Sequence, residues 1–147
     1  PQTTIEVLIP DFQGKTELLN QVIEAHPDII SHNMETVRRI SPLVRSAANY
    51  DTSLQVISHI SKNGVKSKSG IMVGLGETPE EVETLMDDLL AAGCQIHHRT
   101  ISATQSSALS RCRICDPATI CKIQDYRLKK RIQYRGECSS CPFLLPC

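Results

Sequence analysis

A glycine-rich segment that runs directly into a capped helix is the feature that most constrains the fold of this chain. Residues 70–77 read GIMVGLGE, and residues 78–81 read TPEE. Threonine is a favoured helix N-cap, proline suits the first helical position, and glutamate three residues after threonine completes a capping box. The junction therefore predicts a strand, a tight turn and a helix that extends to Ala92, with Gly93 as its C-cap.

The preceding residues repeat this alternation of strand and helix. Short apolar runs rich in β-branched residues predict strands, and apolar residues at a spacing of three to four predict helices. Strands are predicted at 4–10, 29–33 and 68–73, and helices at 16–25, 50–60 and 78–92. Spacings of this kind favour an α/β fold built from parallel βαβ units.

Polar and glycine residues follow the predicted strands. In parallel folds, ligands bind at the carboxyl ends of the strands. The residues at these ends are Asp11, Asn33 with Glu35, and the segment Gly74-Leu75-Gly76-Glu77. The sequence therefore predicts a ligand site at this edge of the sheet.

Each of these motifs has a purely structural alternative. The glycines allow a flat ligand to approach the backbone, but a tight turn that needs positive φ uses the same residues. Asn33 and Glu35 can bind hydroxyl or amino groups, but Asn33 can equally cap a helix. Arg45 pairs with a carboxylate or is simply solvated, as do Arg38 and Arg39. His32 is expected to make structural hydrogen bonds, and Cys94 to be a small buried residue.

Charge and cysteine content divide the chain into two parts. Residues 1–94 contain 7 Lys/Arg and 13 Asp/Glu, a net charge of −6, and the remainder contains 9 Lys/Arg and 3 Asp/Glu, a net charge of +6. Six of the seven cysteines also lie in the second part. We expect residues 1–95 to form a domain and residues 96–147 to form an irregular, disordered tail.

The ends of the chain carry two further expectations. The first residue is Pro1 rather than Met, and a strand is predicted within five residues of it, so we expect the natural N-terminus to lie upstream. The sequence contains no signal peptide pattern and no apolar run long enough to cross a membrane. We therefore expect a cytoplasmic protein without a membrane partner.

Three ordered stretches carry a resemblance to a known family. They are IPDFQG at 9–14, HNMETV at 32–37 and KSGIMVGLGET at 68–78. Over residues 5 to about 95 the chain resembles lipoyl synthase, a radical S-adenosylmethionine (SAM) enzyme. The resemblance implies part of a radical SAM-type partial (β/α) barrel with parallel strands, followed by an irregular Cys-rich tail.

The resemblance also implies which residues bind SAM. Gly74, Gly76 and Glu77 are expected near the adenine. Asn33 and Glu35 are expected near the ribose and the amino acid part, and Arg45 near the carboxylate. No catalytic residue and no metal ligand is expected within this chain.

The implied reaction inserts two sulfur atoms into an octanoyl chain on a lipoyl carrier domain. The carriers are a 2-oxoacid dehydrogenase subunit and the carrier protein of glycine cleavage, and no nucleic acid is involved. The family uses SAM and two 4Fe–4S clusters, one to cleave SAM and one as the sulfur source. The cysteines for both clusters, including a CxxxCxxC loop, are expected upstream of residue 1, so this chain alone is expected to be inactive.

The tail allows two interpretations. The pairs Cys112/Cys115 and Cys138/Cys141, with Cys121 and Cys147 nearby, are typical of a zinc ribbon. Alternatively, a reading-frame slip near residues 95–97 produced the tail, and its cysteines are accidental. With suitable codons read one base later, residues 97–104 give TIGQYLQP, residues 121–131 give AKYKTIGLKKG, and the C-terminus gives SAPLVRSSYH, all resembling lipoyl synthase.

Three hypotheses follow for the whole chain. The first is a fragment of a SAM-dependent sulfurtransferase. The second is a binding module in which a SAM-barrel remnant carries a zinc-ribbon-like tail, whose positive charge contacts a partner or nucleic acid. The third is a non-functional product with an unfolded tail that exposes reactive thiols.

Overall fold

A computed structural model of the chain describes residues 3–45, 48–101 and 133–134. Strands and helices alternate through most of this length. The elements are β1 (Glu6–Leu8), α1 (Thr16–Glu24), β2 (Ile29–Ser31), α2 (Ser41–Val44), α3 (Tyr50–Lys62), β3 (Lys66–Val73), α4 (Pro79–Ala91), β4 (Ile96–Ile101) and β5 (Gln133–Tyr134). A short 3-10 turn, Phe12–Gly14, lies between β1 and α1.

The strands form one parallel sheet in the order β1-β2-β3-β4-β5. Glu6 is in register with Ile29, and Ile29 with Lys66. Because α1, α3 and α4 connect successive strands, this is the βα progression of an open barrel segment. The predicted α/β class and the parallel strands are confirmed.

The helix that the capping box predicts is present as α4. The Thr78 side chain accepts a hydrogen bond from the backbone of Glu81, whose side chain accepts one from the backbone of Thr78. Pro79 occupies the first helical position, and Gly93 has a φ of +84° just beyond the C-terminus. These signals act within a few residues, which is why the sequence alone reveals them.

Two groups of buried apolar side chains hold the helices on the sheet. The larger joins α4 to the end of β3 and to the segment after β2. Its members are Met34, Val37, Ile40, Tyr50, Ile57, Ile71, Val73, Val82, Leu85, Met86, Leu89 and Cys94. The smaller joins β1 and β2 to α1 and α3 through Ile9, Leu19, Ile30, Val56 and Ile60. Both groups fix where the strands end, and so fix the position of the residues that follow them.

The sheet has an unpaired side at β1 within the part of the chain that the structure describes. β1 pairs with β2 alone there, and two apolar side chains at this edge are largely exposed, Ile5 at 56% and Leu8 at 68%. Exposed strand edges of this kind are templates for further pairing.

The tail expectations lie mostly outside the described residues. This applies to the six cysteines from Cys112 onward, and thus to both the zinc ribbon and the reading-frame hypothesis. Of the segment after residue 95, the structure describes β4 and β5, and the division of the chain at this point remains a prediction. Among the described residues, no helix is long and apolar enough to cross a membrane.

Candidate functional site

The loop after β3 is shaped by two glycines and one carboxylate. Gly74 has a φ of 112° and Gly76 a φ of 102°, values that residues with a side chain rarely adopt. Oε2 of Glu77 accepts hydrogen bonds from the backbone N–H of Gly74 at 3.1 Å and of Leu75 at 2.9 Å. The requirement for a tight turn is therefore real, and a Cβ placed on Gly76 would meet nothing within 4 Å, so the turn is open on that side.

Glu77 has one oxygen without a partner. The residue is 4% exposed, and its Oε1 atom is buried and accepts no hydrogen bond from the described residues. A buried acceptor left unpaired costs roughly 1–3 kcal/mol relative to one that is satisfied. A donor supplied by a ligand or a water molecule at this loop would remove that cost.

Arg39 ties the glycine loop to the start of α4. Its Nη2 donates to the carbonyl of Gly76 at 2.9 Å and to Glu81 at 2.9 Å, and its Nε donates to Glu81 at 2.7 Å. The guanidinium lowers the pKa of the Glu81 carboxyl. The sequence allowed Arg39 to be either solvated or paired with a carboxylate. In the structure it is paired with Glu81 and also holds the glycine loop through Gly76.

Asn33 and Glu35 lie beside this loop, at the carboxyl end of β2. The backbone of Glu35 extends the β2–β3 pairing, since its N–H donates to Gly70 O at 3.1 Å and its carbonyl accepts from Met72 N at 2.6 Å. Because the backbone at Glu35 pairs with β3, no helix starts at Asn33. The helix-cap interpretation of Asn33 is therefore wrong. The Asn33 Oδ1 atom is buried and has no partner among the described residues.

Arg45 reaches the same edge from the segment after α2. Its Nη1 donates to the carbonyl of Met34 at 3.3 Å and to Oγ of Ser53 at 3.0 Å. Met34 is also bonded through its other backbone group, since its N–H donates to Oγ of Ser69 at 3.3 Å. Met34, between Asn33 and Glu35, is thereby held from two directions.

His32 makes structural hydrogen bonds, as expected. Its Nδ1 lies 3.0 Å from the carbonyl oxygen of Ile9, and its Nε2 lies 3.0 Å from Oγ of Ser53. The side chain is buried, and burial lowers its pKa, with the Arg45 charge acting in the same direction. His32 is therefore neutral near pH 7, and it links the end of β1 to α3.

Arg38 lies between α3 and α4 and pairs with a carboxylate of each helix. It pairs with Asp51 at 2.7 Å and lies over the ring of Tyr50, 4.2 Å from the centroid. Tyr50 donates to Asp88 at 2.9 Å, and burial together with this bond raises the pKa of the Tyr50 hydroxyl. This group joins α3 to α4.

The structure thus brings the predicted residues together at one edge. Asn33, Glu35 and Arg45 belong to the segment after β2, and Gly74, Gly76 and Glu77 to the loop after β3. Sequence reasoning missed Ser53 and Ser69, which hold the first group in place, because isolated serines carry no sequence signal. Within the described ranges, no group of His, Cys, Asp and Glu side chains could hold a metal ion, and Cys94 is buried at the opposite edge.

Comparisons with known proteins agree with this architecture. Residues 1–89 match the family model of the radical SAM superfamily. The chain is 85% identical over 96 residues to the lipoyl synthase of Bacteroides thetaiotaomicron, covering 65% of this chain and 34% of that protein. Lipoyl synthases of Phocaeicola vulgatus and Treponema denticola are 77% and 57% identical, with 65% of this chain covered in each case and 34% and 33% of those proteins. The chain spans about a third of the length of these curated relatives.

Solved structures share the fold at low identity. The radical SAM methyltransferase TsrM of Kitasatospora setae superposes with a TM-score of 0.53 at 15% identity, over 65% of this chain and 20% of that chain. Tryptophan synthase of M. tuberculosis superposes with a TM-score of 0.61 at 14% identity, over 90% of this chain and 54% of that chain. The parallel βα architecture, the polar edge and the match over residues 1–89 together lead to one assignment: the chain belongs to the radical SAM superfamily, and its N-terminal 65% is similar to lipoyl synthases.

Proposed function

We propose that residues 3–95 form part of the SAM site of a lipoyl synthase. The single observation that carries the proposal is the pair of buried acceptors without partners, Asn33 Oδ1 and Glu77 Oε1, which follow neighbouring strands at the ligand-binding edge. Among the reactions of the radical SAM superfamily, we choose that of lipoyl synthase because the chain is 85% identical over 96 residues to a protein of that name.

The donor and acceptor groups fit the chemistry of SAM. Its adenine and ribose carry N–H and O–H donors, which suit the acceptors of Asn33, Glu35 and Glu77. A backbone without side chains at Gly74 and Gly76 lets a planar base approach closely. The SAM carboxylate needs a cationic partner, which the partly buried guanidinium of Arg45 supplies.

The roles of these residues are binding and orientation. Glu77 keeps the glycine loop folded through two backbone N–H groups and presents its second oxygen to a donor. Hydrogen bonds to β3 fix the backbone at Glu35, next to Asn33. The Cα positions from which both side chains extend are therefore defined. Holding a reactant in a single orientation lowers the entropic part of the reaction barrier.

The iron–sulfur clusters require residues other than those described. Clusters are held by cysteine thiolates, and the one cysteine among the described residues, Cys94, follows α4 at the amino end of the sheet. In this family SAM bound to a cluster supplies a carbon radical. Since the described part offers no thiolate at the polar edge, its residues would bind and orient SAM, and cysteines elsewhere in the enzyme would hold the clusters.

In the intact enzyme, the proposed reaction inserts two sulfur atoms into an octanoyl chain. The substrate is attached to a lipoyl carrier domain, from a 2-oxoacid dehydrogenase subunit or the glycine cleavage carrier protein, and the compartment is the cytoplasm. For this chain by itself, we expect only background formation of 5′-deoxyadenosine from SAM after iron–sulfur reconstitution. Substantial product would contradict the proposal that this chain lacks the cysteines that hold the clusters.

SAM binding to the isolated chain tests the site directly. We expect a titration with SAM, followed by ¹⁵N NMR, to shift the amide signals of residues 33–35 and 74–77 in a saturable manner. Glu77→Gln is the informative variant, because its amide oxygen still accepts the two backbone bonds while its NH₂ replaces the unpaired acceptor. We expect about tenfold weaker binding, equivalent to about 1.4 kcal/mol, with the fold retained.

The matched control is Glu83→Gln, which makes the same change on α4 away from the loop. It should leave SAM affinity unchanged. Saturable shifts confined to α1 or to the outer face of α4, or equal effects of both variants, would refute the site.

A further inference from the structure

Four groups form a continuous line of hydrogen bonds behind the polar edge. The line runs from Arg45 Nη1 to Ser53 Oγ at 3.0 Å, from Ser53 Oγ to His32 Nε2 at 3.0 Å, and from His32 Nδ1 to the carbonyl oxygen of Ile9 at 3.0 Å. Ser53 is fully buried in α3, and His32 is 3% exposed. The two bonds of His32 are therefore shielded from solvent, and the bond from Arg45 to Ser53 is partly buried.

The chemistry of the groups fixes the direction of every bond. A carbonyl oxygen only accepts, so His32 Nδ1 carries the proton that is donated to Ile9. In the neutral ring, Nε2 is then an acceptor, and the Ser53 hydroxyl donates to it. Ser53 Oγ in turn accepts from Arg45, whose guanidinium only donates.

With these directions, the Ser53 hydroxyl links His32 to Arg45, because it donates to the first and accepts from the second. Without the hydroxyl, His32 Nε2 would be a buried acceptor lacking its donor, and Arg45 Nη1 would keep only the 3.3 Å bond to Met34 O. Among the described residues, no carboxylate forms an ion pair with Arg45. The orientation of the guanidinium thus depends on Ser53 rather than on a charged partner.

We propose that Ser53 is a positioning residue: it orders the Arg45 guanidinium, through the line anchored at His32 and Ile9, to receive the anionic group of the ligand. The part that concerns the ligand rests on the proposed function. Arg45 also lines a cleft of about 420 Å³, which gives an anion access to it. The other charged residues of this cleft, Arg38 and Asp51, pair with each other, so they do not take the place of Arg45.

A ligand-free measurement tests the ordering itself. NMR of the complete chain should show slow rotation of the Arg45 guanidinium and a protonated Nδ1 with an unprotonated Nε2 at His32. Ser53→Ala should speed the rotation and shift the Nε2 signal, while Nδ1 stays protonated. The control Ser58→Ala, a partly buried serine on the same helix, should change neither signal. Fast rotation of Arg45 in the unsubstituted chain would overturn the proposal.

A double-mutant cycle on SAM affinity tests the consequence for binding. We expect Ser53→Ala and Arg45→Gln each to weaken binding about tenfold, and the double variant to be no weaker than Arg45→Gln alone. Additive effects would show that Ser53 acts on folding and not through Arg45. If the unsubstituted chain binds no SAM, the proposed function fails, and the rotation measurement still decides whether Ser53 orders Arg45.

Discussion

The sheet has an amino edge, where its parallel strands begin, and a carboxyl edge, where they end. Polar groups at these two edges are hydrogen-bonded to different degrees. At the amino edge, the carbonyl of Gly93 accepts from Ser61 at 2.9 Å and from Ser67 at 3.3 Å. At the carboxyl edge, four buried side-chain atoms among the described residues have no partner. They are Asn33 Oδ1, Thr36 Oγ1, Ser41 Oγ and Glu77 Oε1, all in segments that follow β2 or β3.

This difference distinguishes the edge at which the described residues complete their hydrogen bonds from the edge at which they leave buried polar atoms without partners. Buried polar groups are nearly always hydrogen-bonded in stable proteins, so each exception needs an explanation. Here the exceptions lie at the edge where parallel folds bind ligands. Among the described residues of the amino edge, no buried side-chain oxygen or nitrogen lacks a partner.

The largest expected effect concerns the amino edge. A Cβ at Gly93 would clash with the Ser61 hydroxyl and lie 3.0 Å from the Ser61 Cβ, whereas a Cβ at Gly64 would meet nothing within 4 Å. Both glycines have positive φ, +84° and +78°. We expect Gly93→Ala to lower the free energy of unfolding by about 3 kcal/mol and Gly64→Ala by about 1 kcal/mol, since the second variant has backbone strain alone.

Urea denaturation of both variants measures this difference. SAM-dependent NMR shifts of the folded Gly93→Ala chain should match those of the unsubstituted chain. Altered shifts at residues 74–77 would show that the two edges are coupled, and would break the comparison.

An intermediate effect concerns the carboxyl edge and pH. Burial lowers the pKa of His32 below 6.5, although the carbonyl of Ile9 and the charges of Asp11 and Glu35 oppose this. Below pH 6.5 the unfolded chain binds a proton that the folded chain does not, so stability falls as pH falls. The loss due to His32 approaches about 1.4 kcal/mol per pH unit until the folded pKa is reached.

Chemical denaturation between pH 7.5 and 5.5, with and without His32→Gln, isolates this contribution. The variant should lose less stability across the range than the unsubstituted chain. Equal slopes would mean that His32 titrates normally in the fold.

The smallest effect compares hydroxyls at the two edges. Thr36 is 1% exposed and its hydroxyl is unpaired, so Thr36→Val should leave stability unchanged or raise it by up to about 1 kcal/mol. Ser61→Ala removes a made hydrogen bond and should cost about 1 kcal/mol. Thermal unfolding of the two variants gives the signs, and a loss in Thr36→Val would indicate that a water molecule satisfies that hydroxyl.

The elements of this fold were largely predictable, and the support behind the site was not. The capping box of α4 and the glycine at its end depend on interactions within four residues, so they leave a pattern in the sequence. The bond from the Met34 N–H to Ser69 joins residues 35 apart, and the bond from Arg45 to Ser53 joins the segment after α2 to α3. Contacts of this kind arise from packing, and a serine at position 53 looks like any other serine on a helix.

The residues of the polar edge were predicted from a resemblance and from their position after strands. The structure adds which atoms are satisfied and which are not. It also replaces the helix-cap interpretation of Asn33, which failed because the chain pairs with β3 instead of starting a helix. A choice between local capping and pairing with a distant strand depends on residues 35 or more positions away, so no short window of sequence decides it.

Glu35 combines strand pairing on both backbone groups with a φ of +65°. Its place is therefore set by the main chain, and the left-handed conformation restricts which side chains are tolerated. Glycine, asparagine and aspartate adopt such a backbone readily, whereas valine and isoleucine do not. In a saturation library at position 35, the backbone conformation would exclude many side chains, whether or not function requires a carboxylate there. Few substitutions would therefore be accepted at this position during evolution.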